Sequence, residues 1–373
     1  MEEKEPVQKE ELKPVRLPSA GSLILSSSPH IRTDLSTAKI MGLVMLCLLP
    51  ATAAGVYRYG WNALRVILLC MIFCAGWEML WCRIMKRRQT VRDLSALLTG
   101  LILALNVSPL LPWWLCLAGS FIAIIIAKQV FGGLGQNPFN PAAVARVALL
   151  VGAARQMTTW PALPSAYLHM DGVSGATPLA AAAQAAALQQ MDGVARATPL
   201  PAAAHEGLSL FNSPEFLLNA FMGNIGGSLG ETCSLAILIG AAGLVALGLI
   251  RLYIPLSILL TITVFVWIVN AVAPGTTPGP LFHLLTGGVM LGAFFMATDY
   301  VTSPVTHLGG VVFGVGIGII VCVIRIWGSF PEGMSFAIVI MNALVPLIDK
   351  LCYKRPFGWN PVNAYQPRRG EIK

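Results

Sequence analysis

Two threonines in this chain stand in near-duplicate surroundings that could carry chemistry: Asp171-Gly172-Val173-Ser174-Gly175-Ala176-Thr177-Pro178-Leu179 and Asp192-Gly193-Val194-Ala195-Arg196-Ala197-Thr198-Pro199-Leu200. A threonine before a proline, ahead of an alanine-rich run such as 179–190, has the form of a helix N-cap with proline at the first helical position, and Gly175 supplies the turn. The same physics prepares an anion site. Free N–H groups and the helix dipole stabilise negative charge at an N-terminus, so a phosphate esterified to the cap hydroxyl would be held there.

Other residues equipped for chemistry are few. Glu78, Glu231 and Asp299 are carboxylates at membrane depth or its edge. Intramembrane acids are expensive, which makes each a candidate for ion or proton passage, set against a plain interfacial or capping role. Arg146 lies within an apolar run and calls for a partner of opposite charge or a carbonyl. The segment 132–141, Gly-Gly-Leu-Gly-Gln-Asn-Pro-Phe-Asn-Pro, reads as a broken connector whose amides solvate unwound backbone. His30, His169, His205, His283 and His307 show no metal-ligand spacing. The 8 cysteines form no CxxC pair, so neither zinc nor an iron–sulfur cluster is expected, although Cys70 and Cys74 share a helix face.

The elements that must position these residues are membrane spans. With 56% hydrophobic and 11% charged residues, the 373-residue chain has too little charge to coat a soluble surface, which implies a polytopic all-α membrane protein in contact with lipid. The net charge of +8 gathers at the termini and in one connector, without interleaved aromatics, which excludes a nucleic-acid footprint. Apolar runs at 40–56, 63–85, 94–111, 113–130 and 142–152 predict five spans. A broken approach through 216–222 and 223–227 leads into a sixth ending near residue 250, and runs at 255–272, 282–296, 311–327 and 334–351 complete about ten.

Arg83, Lys86, Arg87, Arg88 and Arg92 mark a cytoplasmic connector by the positive-inside rule, so both termini are expected inside and the polar stretch outside. The resulting division is a cytoplasmic tail (1–35), a first five-helix repeat (36–153), an extracytoplasmic loop (154–214), a second five-helix repeat (215–351) and a cytoplasmic tail (352–373). The tail before the first span has no apolar h-region, so that span is expected to do the targeting. Leu97-Leu98-Thr99-Gly100 recurs as Leu284-Leu285-Thr286-Gly287, and an odd number of spans per half predicts two inverted repeats, an arrangement that equally suits a secondary transporter or channel. The glycine run 314–318 reads as small-residue helix packing.

Asp-Gly-Val-Ser-Gly-Ala-Thr-Pro-Leu resembles the flavinylation motif of the D subunit of the Rnf electron-transport complex and of its relative, the B subunit of the sodium-pumping NADH:quinone oxidoreductase. Further resemblances to the Rnf D subunit are Ser27-Ser28-Pro29-His30 and the segments 131–141, 223–231, 290–299 and 328–333. The proline after the threonine favours D over B, whereas Tyr300 departs from the proline that usually follows the aspartate at 299.

The resemblance implies FMN linked by a phosphoester to Thr177, with Asp171, Gly172, Ser174, Gly175 and Ala176 recognised by a flavin transferase. Ala195 and Arg196 leave Thr198 the weaker copy. It also implies a second, noncovalent flavin such as riboflavin near 132–141, with Gln136, Asn137 and Asn140 on the ring edge and a flavin phosphate among the partners open to Arg146. The expected role is a membrane subunit of a translocating oxidoreductase in the bacterial inner membrane, relaying electrons between reduced ferredoxin and NAD with Na+ or H+ transport, beside subunits A, B, C, E and G. The chain holds no nucleotide-binding domain, so NAD and ferredoxin are expected to meet other subunits.

Overall fold

The computed structural model describes residues 35–159, 211–328 and 332–353. The loop carrying Thr177 and Thr198, with Asp171, Gly172, Ser174, Gly175 and Ala176, lies outside the described residues. The chain divides into units Met1–Ser36 and Thr37–Lys373, and the helices of the bundle belong to the second.

Among the described residues all regular structure is helical. Five helices are long and apolar enough to cross a membrane: α1 (Thr37–Tyr59), α2 (Trp61–Ile84), α9 (Tyr253–Val272), α12 (His307–Trp327) and α13 (Met334–Leu351). Between them lie shorter apolar helices. These are α3 (Ser95–Leu105), α4 (Trp113–Phe121, continued as a π-helix over Ile122–Gln129), α5 (Pro141–Gly152) with a short α6 (Ala154–Met157), α7 (Pro214–Met222) and α8 (Ser234–Ala246). Helix α10 (Pro280–Leu285) and α11 (Val289–Leu291, continued as a π-helix over Gly292–Met296) are fragments of one apolar run. The chain is a multi-pass membrane protein.

Two expected spans are broken. The run 94–111 is helical only over Ser95–Leu105, whose 11 residues reach about 17 Å, roughly half the apolar bilayer thickness. Ser108-Pro109 and Leu111-Pro112 follow, and a residue before proline is pushed out of the helical region. The run 282–296 breaks at Thr286–Gly288, where Gly287 takes φ 72°. The two Leu-Leu-Thr-Gly copies therefore differ in conformation: the first lies inside α3, and the second ends α10 and enters the break.

Close backbone approach builds the bundle around these pieces. In α12, Gly314 faces the Ile254 carbonyl and Ser257 of α9, Gly318 faces Thr261, and Gly316 faces Met341 of α13. The glycine run is helix packing, as its spacing predicts. Gly100 of α3 would place a Cβ 2.8 Å from the Cys70 carbonyl oxygen of α2.

Candidate ligand cavity and buried charge network

Both broken helices end on carbonyls that lipid could not satisfy. The Gly230 N–H donates to the Leu105 carbonyl at 2.7 Å, closing the end of α3. The Arg325 guanidinium of α12 donates to the His283 carbonyl at 2.6 Å and the Thr286 carbonyl at 3.0 Å, closing the end of α10. A cation suits a helix C-terminus. The arginine that looks misplaced in the sequence, within the apolar run 311–327, is thus a cap for a helix distant in the chain.

Beside these ends lies a network of buried charge. Arg146 of α5 donates to Asn106 Oδ1 at 2.8 Å and to Glu231 Oε1 at 2.9 Å, and it also pairs with Glu332 just before α13. Glu231 Oε2 accepts from the Ser228 N–H at 3.3 Å. Gly288, in the broken run, leaves room for this pairing: a Cβ there would sit 2.9 Å from Arg146 Nη1 and 3.3 Å from Glu231 Oε1. Arg146 therefore joins α3, α5, the segment 223–231 and the start of α13.

A second cluster joins neighbouring spans. Glu78 of α2 is wholly buried. It accepts from Lys128 Nζ at 3.1 and 3.2 Å, from Gln129 Nε2 at 3.1 Å and from Thr90 Oγ1 at 2.6 Å. Lys128 also donates to Ser95 Oγ at 2.8 Å. Lys128 lies in the π-helical turn of α4, and no sequence motif draws attention to it. The available signal is a single cation in the run 113–130 opposite a single acid in the run 63–85.

Lys128 and Ser95 also edge a cavity with about 830 Å³ of empty space, counting its open mouth. Its walls include Val44 of α1, Ile102 of α3, Phe294, Phe295, Asp299 and Tyr300. The structure separates the residues expected here. Asn137 and Asn140 line the cavity, whereas Gln136 is exposed and Arg146 belongs to the charge network.

The two asparagines also differ. Asn140 is committed to backbone: its Oδ1 accepts from the Ala142 and Ala143 N–H groups as the N-cap of α5, and its Nδ2 donates to the Met296 carbonyl at 3.0 Å. Asn137 Nδ2 donates to the Phe139 carbonyl at 3.0 Å, but its Oδ1 is buried with no partner. A buried acceptor without a donor is costly. Asp299 is occupied by its own turn, accepting from the Val301 N–H and Thr302 Oγ1. Among the described residues no cluster of three or more His, Cys, Asp or Glu could hold a metal ion.

The model of the NQR2, RnfD, RnfE family matches residues 24–358. The D subunit of the ion-translocating oxidoreductase complex of Stutzerimonas stutzeri is 44% identical over 331 residues, covering 87% of this chain and 93% of the relative. The D subunit of the Na(+)-translocating ferredoxin:NAD(+) oxidoreductase complex of Acetobacterium woodii is 40% identical over 340 residues, covering 90% and 96%. The D subunit of the proton-translocating ferredoxin:NAD(+) oxidoreductase complex of Clostridium ljungdahlii is 38% identical over 335 residues, covering 90% and 96%. Matches of this extent, over a bundle of long and broken apolar helices, place the chain in the NQR2, RnfD, RnfE family.

Proposed function

We propose that this chain is the D-type membrane subunit of an ion-translocating ferredoxin:NAD oxidoreductase complex and that it carries flavin for electron relay. The observation that carries this reading is the family match over 24–358, with relatives named as D subunits along nearly their whole lengths. Their names specify Na+ in one case and protons in another, so the same scaffold serves either ion and the reading covers both.

Thr177 is the attachment point for FMN through a phosphoester, and Asp171, Gly172, Ser174, Gly175 and Ala176 are what a flavin transferase reads. The support is the motif, together with the affinity for phosphate of the helix N-terminus that the threonine–proline pattern predicts. A second flavin, held without a covalent bond, would occupy the cavity, where Phe294 and Phe295 offer apolar walls and Asn137 is a polar lining residue. When bound, flavins supply the one- and two-electron chemistry, while the protein supplies placement and a dry surround.

Ten spans, counting α10 and α11 as one and leaving out the short α6 and α7, form two inverted halves in the inner membrane. The Arg83–Arg92 connector and both termini lie in the cytoplasm, and the flavin-bearing loop lies outside. Subunits A, B, C, E and G are this chain's partners, and ferredoxin and NAD meet subunits other than this one. Inverted vesicles containing the assembled complex test the role. Replacing Thr177→Ala should abolish ferredoxin-dependent NAD reduction and the linked ion uptake while leaving the complex assembled. Unchanged ion uptake would refute an electron-relay role for this chain.

A further inference from the structure

A second cleft adjoins the first cavity and shares Leu249, Ile250, Thr298 and Tyr300 with it. It lies where α9 and α12 begin, and holds about 890 Å³ of empty space counting its open mouth. Tyr300, the residue that departs from the family pattern, stands between the two spaces with its hydroxyl donating to the Leu249 carbonyl. The cleft is also lined by Arg251, Tyr253, Ser303 and Val305.

Arg251 Nη1 lies 3.2 Å from His307 Nε2, and the His307 ring meets Tyr253 edge-on with centroids 5.1 Å apart. Among the described residues the ion pairs are Lys128–Glu78, Arg146–Glu231 and Arg146–Glu332, so neither Arg251 nor His307 has a carboxylate partner there. The nearby acids have other work. Asp349 accepts from the Val305 N–H at 3.1 Å, and Asp299 accepts within its own turn. The cleft is therefore lined by an arginine without a carboxylate partner, with Ser303 and Tyr253 beside it and no carboxylate in the lining, which is the chemistry of an anion site.

The surroundings select the kind of anion. Val305 is 85% exposed, and Leu252, Leu256 and Leu308, each within three residues of the lining in sequence, are exposed as well. An isolated cation between the ends of two membrane helices, bordered by bare apolar side chains, matches a molecule with a phosphate head and long hydrocarbon tails. We propose that this cleft is a headgroup site for an anionic phospholipid, with the phosphate on Arg251 and the acyl chains along the exposed apolar side chains beside it. The proposal does not rest on a flavin in the first cavity.

The test uses the purified full-length subunit in detergent, titrated separately with phosphatidylglycerol, phosphatidylcholine and inorganic phosphate, with binding read by native mass spectrometry and thermal melting. Phosphatidylglycerol should bind and raise the melting temperature. Arg251→Gln should weaken that binding about fivefold, the value of one cation at an anionic lipid surface. Arg251→Lys, which keeps the charge, should retain most of it and serves as the control if the glutamine variant folds poorly. Equal binding of phosphatidylcholine, or full binding in Arg251→Gln, would overturn the proposal. A complete effect from inorganic phosphate alone would also overturn it, by showing a free-anion site.

Discussion

The two buried charge clusters use similar residues for different ends. Glu78 and Lys128 join α2 to α4 within a continuous stretch of chain, and each of the three hydrogen bonds open to the ammonium goes to a named acceptor. Arg146, Glu231 and Glu332 bring together parts of the chain far apart in sequence, at the place where α3 has ended and the run containing α10 is broken. One cluster fastens neighbouring helices; the other ties together segments that flank unwound backbone, beside the Gly230 N–H and the Arg325 guanidinium that close the helix ends. A broken helix in a membrane needs charged or polar partners to satisfy its ends, whereas two intact helices need only surface that fits.

The largest effect should follow from breaking the second cluster. Arg146→Ala leaves the buried Glu231 and the half-buried Glu332 without their cation, which costs about 3–5 kcal/mol by the behaviour of broken buried pairs. The variant should fail to accumulate as a monodisperse species in detergent size-exclusion chromatography. A normal yield and melting temperature would show that the broken segments do not depend on this arginine.

Breaking the first cluster sharpens the contrast. Glu78→Gln strands the Lys128 cation and should destabilise the chain by a few kcal/mol, whereas Glu78→Gln with Lys128→Met should recover most of the loss, because both charges are then gone. The corresponding double removal of Arg146 and Glu231 should not recover, since Glu332 and the Asn106 side-chain oxygen would still lack their partner. Thermal melts of the single and double variants measure this coupling, and equal recovery in both cycles would erase the distinction.

The smallest structural effect should come from the cavity. Asn137→Ala removes a side chain with one unpartnered atom and should leave the melting temperature within about a degree or two, consistent with a modest hydrogen-bond contribution. It should lower the noncovalent flavin released on denaturation. Asn140→Ala should act in the opposite way and cost about 1 kcal/mol through loss of the α5 cap.

Much of this was legible in the sequence. Apolar runs located the helices, Gly223 and its neighbours announced a broken approach to α8, and a cation at 146 demanded a partner. The identity of that partner was not legible, because Glu231 and Glu332 reach Arg146 only through the tertiary packing of distant segments. The pairing of Lys128 with Glu78 was illegible for the same reason, although each is a lone charge of its sign in its apolar run. The break after Leu105 was readable from Ser108-Pro109, but the continuous apolar character of 94–111 outweighed it. Asn140 was readable too: asparagine followed by proline is an N-cap signal, and the structure uses it so, whereas the resemblance drew attention to its amide as a flavin contact. The loop with the paired threonines lies outside the described residues, and its chemistry rests on the motif.

In-gel fluorescence tests the central claim, a covalent flavin on this chain, most directly. The protein, produced in cells that express the flavin transferase, is run on a denaturing gel beside its Thr177→Ala and Thr198→Ala variants. A fluorescent band from the parent chain and from Thr198→Ala, with none from Thr177→Ala, is the predicted result. A dark parent band would contradict the covalent flavin, and fluorescence surviving in Thr177→Ala would contradict its placement.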